Sequence, residues 1–161
     1  MEKATSSDKA YHSEKLIRHF LLERSNVIRL TEIHWRERFL FRKLGGEKDL
    51  KFVEVLDKLK PAFIKRITDN KRFNDIVQGG KAPFNHYFYK LTPTLKKLIN
   101  EETLFWNCFP PDSKHFYGFE DITFYHHEAM SGIIITHEPM VTLYVSDAEM
   151  QKLIKGGVEF D

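Results

Sequence analysis

Near its C-terminal end this chain alternates apolar and polar residues with a period of two, in three short runs set off by turn signals. The runs span residues 122–126, 133–137 and 140–145, with Ser131-Gly132 and Glu138-Pro139 at their borders. Successive side chains of a strand point to opposite faces, so this pattern predicts short strands joined as an antiparallel meander. Ile122 and Phe124 share one side of their strand, Ile133 pairs with Ile135, and Val141 goes with Leu143 and Val145. One such face packs on helices and the other stays mixed. A turn near Ala129-Met130 would set His126 opposite Ile133 and His137 opposite Ile122.

The meander is followed by Ser146-Asp147-Ala148-Glu149, a capping box that opens a helix over 147–155. Gly156-Gly157 stops that helix, and residues 158–160 suit a last edge strand. The first half reads as helical. Ser13 caps a helix carrying Leu16, Ile17, Phe20 and Leu21. Thr31 caps a stretch over 32–44, although β-branched and aromatic residues in 27–41 leave a strand as the alternative. Residues 49–60 form a third helix, and Phe63, Ile64 and Ile67 continue its apolar stripe past Pro61. Residues 73–77 close a short helix before Gly79-Gly80. The aromatic run 84–89 belongs to a connector, Thr92-Pro93 opens a helix to about Asn100, and 103–109 suits a strand.

The expected fold class is therefore α+β, with a helical N-terminal half packed on a small, mainly antiparallel C-terminal sheet of three to five strands and a late helix. The 161 residues suit one domain. Residues 1–80 form a basic helical half, 81–102 a connector and helix, and 103–161 an acidic antiparallel sheet. Residues 1–12 are polar and terminal, which favours fraying.

Charge divides along the same line. Residues 1–90 carry 20 Lys+Arg against 12 Asp+Glu, and residues 91–161 carry 5 against 11. The net charge is only +2, so it is the distribution that points to partners. With one cysteine, Cys108, the chain has no internal disulfide and no cysteine-rich zinc site. Residues 1–10 hold no apolar core of a signal peptide, and no run approaches the ~18 apolar residues of a membrane span. The expectation is a cytoplasmic protein with no membrane partner.

Three groupings bear on chemistry. His126 and His127, with His115 as a distant third, are candidate metal ligands; His126 and His137 would lie roughly 13 Å apart by strand rise, too far to share an ion bound at ~2 Å. His137 with Glu120 and Asp121 is a candidate catalytic cluster, a carboxylate beside an imidazole suiting proton transfer. No nucleophile or phosphate-binding motif accompanies it, and no cofactor is expected. Candidate binding residues are the basic and aromatic side chains Trp35, Arg36, Arg38 and Arg42, with Tyr87, Tyr89, Trp106 and Tyr117. Aromatics make up 14% of the chain, so it is aromatic-rich; such rings fill cores as well as interfaces.

The function class these features favour is a non-enzymatic module that binds a protein partner. An inhibitor or immunity-like role is one version, in which the acidic sheet half blocks a basic partner such as a nuclease. The alternatives are a nucleic-acid binder using the basic helices and a small hydrolase or metal enzyme using the His/carboxylate cluster.

Overall fold

A computed structural model describes residues 2–6, 14–33, 54, 57–69, 84–101, 119–135 and 140–160. Seven strands form one sheet: β1 (Glu2–Ser6), β2 (Val27–Ile33), β3 (Phe63–Asp69), β4 (Phe84–Lys90), β5 (Phe119–His126), β6 (Ala129–Ile135) and β7 (Met140–Val145). Their order is β1-β7-β6-β5-β2-β4-β3, and every neighbouring pair is antiparallel. Helices α1 (Glu14–Arg24), α2 (Pro93–Glu101) and α3 (Asp147–Lys155) accompany the sheet, and Glu54 and residues 57–59 are also helical.

The chain is α+β with an antiparallel sheet, but the sheet is larger than the sequence suggests. β1, β2 and β3 come from the half expected to be helical, with β2 realising the strand alternative within 27–41, and β4 comes from the expected connector. Thr31 is no helix cap: it is buried within β2, where Ile28 and Leu30 point into the core. Lys60–Ala62 is a single 3₁₀ turn, and the apolar stripe beyond it is β3 rather than helix. Residues 2–6, expected to fray, pair with β7. Residues 158–160 form no strand, although Val158 is buried. The expected Ser13 cap, the helix over 73–77 and the strand over 103–109 lie outside the described residues.

One face of the sheet carries the core. Register places Ile28 opposite Phe124, Leu30 opposite Ile122, Ile122 opposite Ile134, and Gly132 opposite Leu143. Ile17 and Leu21 of α1, Leu95 and Ile99 of α2, and Leu153 of α3 join these in one buried cluster. Fully burying one such side chain contributes about 1.5–3 kcal/mol, so the helices are held mainly by this face. α1 sits close over β6: a Cβ on Gly132 would lie 2.6 Å from Leu21 Cδ2 and 3.0 Å from the Thr142 carbonyl oxygen. Any larger residue there forces Leu21 to shift.

The local signals behave as their chemistry requires. Thr92 Oγ1 accepts from Leu95 N at 3.2 Å and starts α2. The Ser146–Glu149 capping box forms in both directions, and Gly157 at φ 100° ends α3. The β5–β6 hairpin departs from the expected register. Its turn is the two residues His127-Glu128, with His127 at φ 53°, so His126 faces Ala129 rather than Ile133. Ser131 is the extra residue of a bulge between the Phe124–Gly132 and Tyr125–Met130 pairs.

Candidate binding surface

The residues expected to carry function divide by position. Trp35, Arg36, Arg38, Arg42, Trp106, Tyr117, His115 and His137 lie outside the described residues. Tyr87 and Tyr89 stand on the core side of β4. Tyr89 is buried and meets the Phe63 ring edge-on at 5.8 Å, and Tyr87 is half-buried beneath the Arg66 guanidinium at 5.8 Å. Glu120 is the extra residue of a β5 bulge, where β5 shifts register against β2, and Asp121 pairs with Thr31.

His126 and His127 are exposed and lie 4.4 Å apart edge-to-face. His126 Nδ1 is 2.8 Å from the Arg24 carbonyl oxygen, which only accepts, so Nδ1 carries the proton. Asn26 accepts from the His127 backbone N–H at 2.9 Å, leaving its amide nitrogen to donate to His127 Nδ1 at 3.4 Å. Both rings thus tie the hairpin tip to the α1–β2 connection. Among the described residues no three His, Cys, Asp or Glu side chains converge to hold a metal ion.

The sheet face away from the helices is organised in cross-strand rows. One row runs His86, Thr31, Asp121, Ile135, Met140, and the next runs Phe88, Arg29, Thr123, Ile133, Thr142. Thr31 Oγ1 lies 3.0 Å from His86 Nδ1, and Arg29 donates to Thr123 Oγ1 at 2.9 Å while covering the Tyr125 ring at 5.7 Å. Phe88 and Tyr125 rings stand 6.4 Å apart, with Lys65 Nζ 5.1 Å above Phe88. The row of imidazole, hydroxyl and carboxylate is polar and largely inward, as an antiparallel sheet with a mixed second face requires.

Among the described residues, the most exposed large apolar side chains cluster at β3, the last strand of the sheet order. Phe63 is 49% exposed, Ile64 48% and Ile67 44%. Ile64 is the extra residue of a bulge between the Phe63–Tyr89 and Lys65–Phe88 pairs. Lys65 and Ile67 therefore share the face opposite α1–α3, while Phe63 and Arg66 share the helix face. Thr68 donates to Asn85 Oδ1 at 2.9 Å and fixes the far end of the pairing. The sequence hides this surface because Ile64 and Ile67 with Lys65-Arg66 between them satisfy a helical stripe as well as a bulged strand.

No family model, curated protein or solved structure matches the chain.

Proposed function

We propose that the chain is a protein-binding module that takes its partner at β3. The observation that carries this is the exposure of Phe63, Ile64 and Ile67 on one edge strand. Single exposed apolar residues are ordinary on protein surfaces. Three large ones within seven residues, on a strand whose outer N–H and C=O groups have no strand neighbour among the described residues, favour association. An inhibitor or immunity-like role is a special case, in which occupying the edge blocks the partner's own site. The edge belongs to the basic half of the chain, so this version places the contact there rather than on the acidic half.

The cation-bearing rings on the face opposite the helices are the observation that favours nucleic acid instead. Arg29 and Lys65 are laid over rings, and Arg29 is also bonded to Thr123, which leaves them poorly placed to meet phosphates. The protein reading therefore comes first.

The test is capture from host lysate after nuclease treatment, comparing the native chain with an Ile64→Asp, Ile67→Asp variant, then titration of the captured protein in purified form. The expected result is a partner bound by the native chain and lost, at least tenfold, by a variant with an unchanged circular dichroism spectrum. Equal binding by both would move the contact away from β3.

A further inference from the structure

We infer that the partner supplies an extended segment that adds to the sheet along β3 as an eighth strand, with two consecutive acidic residues between two large apolar ones. This rests on the protein-binding role of β3 and specifies its ligand.

Charge decides the middle of the segment. Lys65 and Arg66 emerge on opposite faces of β3, beside Phe88 and Tyr87 respectively. Neither makes an ion pair among the described residues. The cations just before them differ: Lys58 pairs with Glu54 and Lys60 with Asp57. Among the described residues, the two cations just before the strand are paired with carboxylates and the two on it are not. A strand laid beside β3 also alternates faces, so successive residues of that strand fall next to Lys65 and Arg66. Directly opposed cross-strand charges of opposite sign stabilise pairing and like charges oppose it.

Apolar exposure decides the flanks. The next positions on either side lie beside the exposed Ile67 and beside the Phe63–Ile64 bulge. A large apolar residue at each would cover surface that is nearly half exposed. Main-chain hydrogen bonds to the outward amides give such pairing its affinity, and the side chains give its selectivity. A second copy of this chain is a poor occupant, because edge-to-edge pairing would set Lys65 and Arg66 of both copies on one two-stranded ribbon. Edge cations serve that protective purpose in sheets generally; here they also select an acidic strand.

The probe is the peptide Thr-Thr-Ile-Glu-Asp-Ile-Thr-Thr, capped at both ends, titrated into the ¹⁵N-labelled full chain. Its near-symmetry serves parallel and antiparallel addition alike. The expected result is amide shift changes concentrated at residues 63–69, binding at least tenfold weaker when Lys-Lys replaces Glu-Asp, and a similar loss when alternate peptide nitrogens are methylated. A Lys65→Glu, Arg66→Glu variant with a native-like amide spectrum is expected to reverse the charge preference.

No shift at β3, affinity indifferent to peptide charge or methylation, tighter binding of a single-stranded oligonucleotide there, or dimerisation through β3 in sedimentation equilibrium would each overturn the inference. The two failures separate. A lysate partner lost on Ile64→Asp, Ile67→Asp but not displaced by the peptide overturns the strand addition and leaves the binding role intact. A lysate partner indifferent to that variant overturns the role itself.

Discussion

Arg24 Nη1 meets Glu149 Oε2 at 2.7 Å, joining the last residue of α1 to the first turn of α3 across 125 residues of sequence. The same Glu149 oxygen accepts from the backbone N–H and the hydroxyl of Ser146, each at 2.8 Å. One carboxylate thus closes a capping box and ties two helices together.

Glu149→Gln keeps a side chain able to close the box and loses the charge that meets Arg24. The cost is expected to be under about 1 kcal/mol, because both partners are partly exposed. Glu149→Ala also loses the cap, and about 1–2 kcal/mol in total is expected. At this chain length each 1 kcal/mol lowers Tm by roughly 2–4 °C, so thermal melts of the two variants rank them.

The pH dependence of that contribution has a defined sign. Burial pushes the Glu149 carboxyl up, but the hydrogen bonds from Ser146 and the charge and hydrogen bond of Arg24 outweigh it, holding the group below its ordinary value of 4.5. A carboxylate depressed on folding stabilises above its unfolded value and loses that contribution as pH falls through the folded one. The stability gap between the native chain and Glu149→Gln is expected to be constant near neutrality and to close in acid below the ordinary value. Urea denaturation at pH 7 and pH 3 measures the gap at each end.

Gly132 and Leu21 are expected to couple. A methyl on Gly132 meets Leu21 Cδ2 and the Thr142 carbonyl oxygen, so Gly132→Ala should cost about 1–3 kcal/mol by overpacking. Leu21→Ala empties a fully buried site and should cost about 2–5 kcal/mol. The two changes act on the same space, so the double variant is expected to lose less than the sum. A double-mutant cycle in denaturant gives the coupling directly.

His127 sits at φ 53° in the hairpin turn. A β-branched residue there is strained, so His127→Val should destabilise by about 1 kcal/mol or more relative to His127→Gly. Glycine relieves the backbone but frees the unfolded chain, which leaves its net effect small. Comparing the melts of the two variants checks the ordering.

What was legible in the sequence was local. The Ser146–Glu149 box, the Gly157 stop and the Thr92 start of α2 are set by residues three or four apart, and each formed as its chemistry demands. The faces of β5 and β7 followed from alternation alone, since Ile122, Phe124, Leu143 and Val145 are all buried, but in β6 it is Ile134 that enters the core and Ile133 and Ile135 take the other face. Long-range pairing was not legible. In β2, Ile28 and Leu30 alternate, but Thr31-Glu32 mimics a helix start. In β3, the bulge at Ile64 breaks the two-residue period that would have marked a strand. The run 84–90 resembles a connector because the β3 stripe suits a helix and the strand alternative within 27–41 has no visible partner. The hairpin register slipped because nothing in the sequence shows that His127, rather than a later residue, takes the left-handed turn position. Of the candidate site, Lys65 and Arg66 were visible only as part of a basic stretch; their place on a sheet edge comes from the topology.

The central claim is that β3 is an open edge that a partner closes, and amide hydrogen exchange along Phe63–Asp69, free and partner-bound, tests it most directly. In the free chain every second amide of β3 is expected to exchange fast, because only alternate N–H groups point toward β4. On binding, those fast amides are expected to slow at least tenfold. Uniform protection of β3 in the free chain, or fast amides left unchanged in the complex, would contradict it.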